Sequence, residues 1–370
     1  MVKRAGDISA PWRFPLLLLA LASLFVGMAA GLARLGWPLP AAGLIAMHGP
    51  LMASGFFGTV ISLERAVALR QRWAYAAPLL SGLATLALFL GAPTAAAPAL
   101  ATAGSAVMLA ASAVVYRQQR ELFTITLALG AGSWMVGSLL WLRGYPVYTV
   151  APCWIAFLVL TIAGERLELS RLLPPSPIAK RVFAALVAVL LVGVTVSLLN
   201  RAVGTIALGA ALTGLALWLM RQDVARRTVK TTGLTRFIAI CLLSGYFWLA
   251  VSGVSILVSG GLDLGGAAYD AALHAVLLGF VFSMVIGHAP IIFPAVLRVP
   301  VPYFSYFYAP LALLHASLVI RLAGDWMGLP HWRTWGGALN GLALLAFVLG
   351  TVSAVAYGAF VANPRATRSV

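Results

Sequence analysis

Charged residues are scarce in this sequence, and few of them are acidic. Only 9% of the 370 residues are charged, with nine aspartates and glutamates against 25 lysines and arginines, while 62% are hydrophobic. A typical soluble domain is about half apolar and about a quarter charged, so this composition excludes a soluble globular protein. Runs of about 20 apolar residues recur along the chain and predict an all-α polytopic membrane protein.

Other absences from the sequence exclude further kinds of structure and active site. The only two cysteines, Cys153 and Cys241, lie far apart in apolar runs, so neither a disulfide framework nor a C-x-x-C site is predicted. Because polar and apolar residues do not alternate, we expect helical spans rather than the strands of a barrel. The sequence has no Walker A, H-E-x-x-H or G-x-S-x-G motif, and no pair of nucleophile and general base stands out.

Twelve transmembrane helices are predicted, within one integral membrane domain that covers residues 1–370. No loop is long enough for a soluble domain, and the longest runs over 221–236. The pairs Glu64–Arg65 and Glu165–Arg166 end the second and the sixth predicted helices. This spacing of four helices fits either three four-helix units or simple helix capping. The helices are expected near 14–35, 40–63, 74–92, 95–116, 122–142, 147–164, 181–199, 203–220, 235–259, 267–289, 303–322 and 336–361.

The basic residues indicate the orientation of these helices. If the N-terminus is cytoplasmic, 20 lysines and arginines fall in the inner segments and five in the outer ones. This positive-inside bias predicts cytoplasmic N- and C-termini and a multi-pass protein of a bacterial inner membrane. The net charge of +16 therefore indicates topology and contact with an anionic lipid bilayer, not a nucleic-acid partner. The five outer residues are Arg34, Arg143, Arg201, Arg321 and Arg333.

Three of the five histidines are predicted at one depth in the outer half of the membrane. His48 lies roughly 12 Å from the outer end of helix 2, and His274 and His315 lie roughly 10 Å from the outer ends of helices 10 and 11. His288 lies 14 residues after His274, which places it near the inner surface. It is either a metal ligand or a polar contact at the helix end. All nine acids fall at or beyond the predicted helix ends, which argues against a proton carrier built on buried carboxylates.

Histidines at one level on different helices suit a metal or a cofactor. Imidazole binds iron, copper and zinc, and two facing histidines can hold a haem between them. The alternative is that each histidine is a hydrogen-bond partner between helices. Arg321 and Arg333, in the loop before helix 12, are available for haem propionates. Small residues near the histidines would let a flat macrocycle approach: Gly49, Ala53, Ser54, Gly55, Ala271, Ala275 and Gly279.

Twelve helices, with one histidine in the outer part of helix 2 and another in the outer part of helix 10, resemble the core subunit of the haem-copper oxidases. The resemblance implies an oxidase-like bundle in which His48 and His274 are the axial ligands of a low-spin haem. It also implies that Arg321 and Arg333 hold the propionates. The predicted helices 6 and 7 contain no histidine, so the copper-containing oxygen-reducing centre of that family is missing and oxygen reduction is not expected.

The stretch MHGPLMASGF around His48 resembles the NnrS family, a relative of the oxidases whose helix 2 carries W-H-x-H-E-M-x-x-G-F. Pro50 and Leu51 stand where that family has its second histidine and its glutamate. NnrS proteins are haem- and copper-containing membrane proteins linked to nitric oxide tolerance and denitrification. Further residues that resemble the family's later motif are His274, Gly279, Met284, and Gly287 with His288.

The NnrS resemblance implies a b-type haem between His48 and His274 and raises the question of copper. His315 is then an alternative axial ligand or a copper ligand, and His288 is a second candidate metal ligand. The expected function is a response to nitric oxide, or its detoxification, with a redox partner. Whether the protein turns over a substrate or only binds and relays stays open at this point.

Two other functions remain open from the sequence. A cofactor-free transporter would line a solute path with the histidines and would show broken helices near mid-membrane. Pro50, Pro290 and Pro294 are compatible with such breaks. An assembly or scaffold protein is the third alternative.

Overall fold

The structure is a computed structural model that describes residues 7–170, 174–262 and 265–362. All regular secondary structure in these ranges is helical, so the expected all-α architecture is confirmed there. Some residues that entered the sequence-based reasoning lie outside the described ranges: the basic Lys3, Arg4, Arg171, Arg365 and Arg368, and the acidic Asp263.

Twelve helices of 14 or more residues follow one another through the described residues. Eleven of them are long enough and apolar enough to cross a membrane, which is the architecture of a polytopic membrane protein. The exception is the third, which has only 14 residues. The helices are α1 Phe14–Arg34, α2 Gly43–Leu69, α3 Ala76–Phe89, α4 Ala96–Gln118, α5 Leu122–Leu142, α6 Val147–Leu169, α7 Pro177–Ser197, α8 Arg201–Gln222, α9 Gly233–Val258, α10 Ala267–Leu297, α11 Tyr308–Trp326 and α12 Pro330–Ala362.

Prolines lie at three of the differences from the predicted helix boundaries. α7 and α12 begin several residues earlier than expected, at Pro177 and Pro330. Proline suits the first position of a helix, because its missing N–H would have no partner there. α10 continues through Pro290 and Pro294 to Leu297, eight residues beyond the predicted end. Neighbouring helices can compensate for an interior proline in a membrane, so α10 need not stop at either residue.

α6 forms the centre of the helical bundle. Every residue from Val150 to Gly164 is buried, and the segment is apolar on all sides, as expected for a helix enclosed by other helices. Glycines permit this close packing. A Cβ atom on Gly164 would lie 3.0 Å from the Leu127 side chain, and one on Gly130 would lie 3.2 Å from the Phe157 carbonyl oxygen. α5 and α6 are therefore in direct contact along their length.

α2 and α10 each contain an eight-residue π-helical segment, Leu51–Gly58 and Ala275–Phe282. Each segment begins within three residues of a histidine. Segments of this kind are rare and often occur at functional sites. The two segments meet through aromatic rings: the Phe282 ring centre lies 5.8 Å from that of Phe56 and 5.1 Å from that of Phe57. This contact fixes how α2 and α10 are placed against each other.

Serine hydroxyls from neighbouring helices bind carbonyl groups of the α2 π-helical segment. Ser23 of α1 donates to the carbonyl oxygen of Leu51 at 2.7 Å, and Ser81 of α3 donates to that of Ser54 at 2.6 Å. The indole N–H of Trp134 donates to the Ser54 hydroxyl at 3.1 Å. A carbonyl without a partner is costly in an apolar interior, so these bonds stabilise the irregular segment and tie α1, α3 and α5 to it.

We expect Ser81→Ala to lower the free energy of unfolding by about 1 kcal/mol, because it leaves the buried carbonyl of Ser54 without that donor. The measurement is thermal unfolding of the detergent-purified protein. Ser353→Ala is the matched control, since the Ser353 hydroxyl binds a carbonyl of its own helix at an exposed position. Its expected change is within about 0.5 kcal/mol. Equal losses in the two variants would contradict the stabilising role of Ser81.

Candidate functional site

A cavity of about 170 Å³ lies between α1, α2, α6, α10, α11 and α12, and both His48 and His274 line it. A volume of this kind admits on the order of ten water molecules. The exposed residues Arg34 and Ala46 form part of its wall, so the cavity reaches the protein surface at this mouth. The remaining wall is mainly apolar, and the cavity therefore suits an apolar molecule with a polar end.

The two histidines of the cavity face each other. Their ring centres are 6.3 Å apart and their planes are inclined by 19°. His48 Nδ1 lies 2.7 Å from the carbonyl oxygen of Gly27, and His274 Nδ1 lies 2.8 Å from that of Asp270. A carbonyl oxygen can only accept, so in each ring Nδ1 carries the hydrogen and donates it. Nε2 of each ring is then left with its lone pair and can bind a metal.

Glycines supply the space around the His48 ring. A Cβ atom on Gly31 would lie 2.8 Å from Cε1 of His48, so only glycine leaves room for the imidazole there. Gly337 and Gly341 of α12 line the cavity as well. Of the small residues selected from the sequence, Gly49 and Ala53 line the cavity. Ser54, Gly55, Ala271, Ala275 and Gly279 do not.

Aromatic side chains close the inner end of the cavity, away from the mouth. Phe57 lies nine residues after His48 on α2, which is about 13 Å along the helix. Phe282 of α10 packs against it, and Trp154 of α6 also lines the cavity. Phe57 and Phe282 belong to the contact between the two π-helical segments described above. They make the floor beneath the histidines largely apolar.

Arg321 and Arg333 both line the cavity, but each is already paired with a carboxylate of the chain. Arg321 donates two hydrogen bonds to Asp270, from Nε at 3.0 Å and from Nη2 at 3.2 Å. Arg333 Nη2 lies 3.5 Å from Asp270, and its Nε lies 3.0 Å from the fully buried carboxylate of Asp325. These four residues form one ion-pair ladder that joins α10, α11 and α12 beside the mouth.

Asp270 is the residue that the sequence reasoning missed. It was counted only as an acid near a helix end, whereas in the structure its side chain is 12% exposed and lies in the cavity wall. Its carbonyl accepts the His274 hydrogen bond, and its carboxylate oxygen lies 3.4 Å from His274 Nδ1. The spacing of Asp270 and His274, four residues apart on a helix, places both on one face and could have revealed the pair.

His315 and His288 do not line the cavity. His315 lies on α11 and contacts α9 through both ring nitrogens: Nδ1 accepts from the Trp248 indole at 2.9 Å, and Nε2 lies 3.0 Å from the Ser244 hydroxyl. His288 Nδ1 lies 2.7 Å from the carbonyl oxygen of Met284. Among the described residues, no group of three or more histidine, cysteine, aspartate or glutamate side chains is arranged to hold a metal ion.

The sequence model of one family, described as a domain of unknown function (DUF8744), matches residues 13–356. The chain belongs to the DUF8744 family. All the residues of the cavity wall fall within the matched range, so the cavity is part of the DUF8744 domain. No curated protein matches the sequence.

We expect Asp270→Asn to lower the free energy of unfolding by about 3 kcal/mol, because it leaves a buried arginine without its counterion. The Arg321 side chain is only 8% exposed, so water from the cavity can replace the lost carboxylate only in part. The measurement is a double-mutant cycle with Arg321→Gln, in which the unfolding of each variant is followed in detergent. The double variant should lose clearly less than the sum of the two single variants. Strictly additive losses would show that the two side chains are not coupled.

Proposed function

We propose that this protein is a haem-binding membrane protein of the NnrS type, with a b-type haem held between His48 and His274. The observation that carries the proposal is the distance of 6.3 Å between their nearly parallel rings in one cavity. A bond of about 2 Å from metal to imidazole nitrogen, with about 1 Å from that nitrogen to the ring centre, gives about 6 Å between two imidazoles that share one metal. The two rings therefore have the separation that a single metal between them requires.

The surroundings of the two histidines also fit a haem. In both rings a backbone carbonyl fixes the hydrogen on Nδ1, an arrangement typical of metal-binding histidines. The wall of small residues from α1 and α12 and the aromatic floor leave a space for a flat apolar group. When bound, a haem would supply an iron centre that exchanges electrons and interacts with small gaseous ligands.

The proposed task is a response to nitric oxide, or its detoxification, with electrons from a redox partner, by resemblance to NnrS. Within that task the chain's own residues have separate roles. His48 and His274 would hold the iron, and Phe57 and Phe282 make the floor of the cavity apolar. The ion-pair ladder fixes the position of His274 through Asp270.

Copper is not part of the proposal. Pro50 and Leu51 occupy the positions of the second histidine and the glutamate of NnrS. Both ring nitrogens of His315 have partners on α9, which fits the alternative of a hydrogen bond between helices. His288 also has a partner in its own helix and lies 14 residues from His274.

A cofactor-free transporter receives less support. That function led us to expect broken helices near the histidines. α2 and α10 change to π-helical geometry next to His48 and His274, but each stays helical throughout, even at Pro50, Pro290 and Pro294. A continuous helix offers no unwound backbone for binding a solute.

We also propose that all twelve helices cross a bacterial inner membrane in an oxidase-like bundle, with both termini in the cytoplasm. The critical helix is α3, which spans about 21 Å. It follows directly on the helical turn Arg72–Tyr75, and its Ser81 reaches the middle of α2. The positive-inside pattern also requires this crossing, because without it the basic loops that follow would change sides.

The crossing of α3 can be tested with single cysteines on either side of it. Cys153 and Cys241 are both buried, so the wild-type protein should give little background with a membrane-impermeant maleimide. We expect Thr94→Cys to be labelled from outside intact spheroplasts and Arg72→Cys to be labelled only after permeabilisation. Gln118→Cys, after α4, is a control that should behave like Arg72→Cys. Labelling of Arg72→Cys and Thr94→Cys from the same side would contradict twelve spans.

The haem itself is tested by visible spectroscopy of the detergent-purified protein from haem-replete cells. We expect a reduced-minus-oxidised spectrum of a low-spin b-type haem, with a matching pyridine haemochrome. His48→Ala and His274→Ala should each abolish the low-spin spectrum, because each removes one of the two imidazoles that would hold the iron. His315→Ala is the matched control: it also removes a histidine from the helical bundle, but not from the cavity, and it should keep the spectrum. A colourless wild-type protein would rule out the haem.

A further inference from the structure

The charges at the mouth of the cavity do not balance. Three arginines line the cavity: Arg34, Arg321 and Arg333. The only carboxylates that pair with them among the described residues are Asp270 and Asp325. Three formal positive charges against two negative ones leave one positive charge without a counterion.

The surplus charge does not belong to the ion-pair ladder. Arg321 directs two hydrogen bonds at one carboxylate and is almost fully buried. Arg333 lies between Asp270 and Asp325, within 3.5 Å of one and 3.0 Å of the other. An acidic group that entered the cavity would have to compete with these internal carboxylates for either arginine. The ladder is therefore a poor anion-binding site.

Arg34 is different, because no carboxylate or hydrogen-bond acceptor of the described residues binds its side chain. It is the last residue of α1 and is exposed at the mouth. It follows Gly31 by three residues, so both lie on the same side of α1, about 4.5 Å apart along the axis. Gly31 is the residue that borders the His48 ring. The Arg34 guanidinium is thus free, and it lies next to the space that an occupant of the cavity would fill.

We infer that Arg34 binds an acidic group of the molecule in the cavity, which is therefore an apolar molecule with a carboxylate at the end nearest the mouth. This inference deepens the proposed function, because the propionates of a haem are such carboxylates. It assigns the carboxylate to Arg34, whereas the resemblance to the oxidases pointed to Arg321 and Arg333. The pairing of Arg34 with a carboxylate does not require an iron atom, so it can be tested separately from histidine ligation.

The test compares three probes: haem, haem dimethyl ester with both carboxylates masked, and metal-free protoporphyrin IX. Each is titrated into the detergent-purified full-length chain. We expect the wild-type protein to bind haem about threefold more tightly than the dimethyl ester, since the charge pair that is lost lies at an exposed position. Arg34→Gln should abolish this preference, and Arg34→Lys should retain most of it. Arg143→Gln, which removes an exposed arginine that does not line the cavity, is the control and should behave like the wild-type protein.

The outcomes separate this inference from the proposed function. An equal preference for haem in the wild-type protein and in Arg34→Gln would overturn the role of Arg34, whatever the spectrum shows. Protoporphyrin IX has no iron, so its binding with the same dependence on Arg34 would support the inference even if no low-spin haem spectrum is found. A wild-type protein that binds none of the three probes would overturn both. Arg34→Lys guards against misfolding, because a merely disrupted α1 would not be rescued by another positive charge.

Discussion

The two hydrogen bonds from Arg321 to the Asp270 carboxylate join α11 to α10 at the mouth of the cavity. Much of the site depends on this pair, because either charge alone would cost several kcal/mol in so apolar a setting. The carbonyl of Asp270 also accepts the Nδ1 hydrogen of His274. The ion pair therefore fixes the start of α10, and with it the direction in which Nε2 of His274 points. Arg333 extends the same network to α12.

A second constraint acts at the floor of the cavity. The stacking of Phe282 on Phe56 and its tilted contact with Phe57 set the approach of α2 to α10 on one side of the histidines, as the ion pair does on the other. The π-helical geometry of both segments turns these rings towards each other, and serine hydroxyls from α1 and α3 stabilise the segment in α2. Because α10 is held on both sides of the histidines, the two imidazoles have little freedom to move relative to each other. The separation of the imidazoles thus follows from contacts that lie outside the pair itself.

Hydropathy was sufficient to predict the all-helical architecture of the described residues and the approximate position of nearly every long helix, because a bilayer demands about 20 apolar residues in a helix. The distance of a residue from its helix end follows from the rise per residue, but only where that end is predicted correctly. His315 lies 11 residues before the end of α11 at Trp326, against seven in the predicted helix. Rotation about each helix could not be predicted. His315 has a predicted depth similar to that of His274, yet its ring faces Trp248 of α9, because facing depends on which helices are neighbours. The partners of Arg321 and Arg333 escaped prediction for the same reason, although the spacing of Asp270 and His274 was visible in the sequence.

The pairing of charges at the mouth limits the cost of placing arginines beside an apolar cavity. A buried arginine without a counterion would destabilise the fold by several kcal/mol. The chain supplies counterions, Asp270 and Asp325, for the buried Arg321 and the partly exposed Arg333. Of the three arginines at the mouth, Arg34 has no counterion among the described residues, and it is exposed. Water can solvate its guanidinium there, so the unpaired charge costs the fold little.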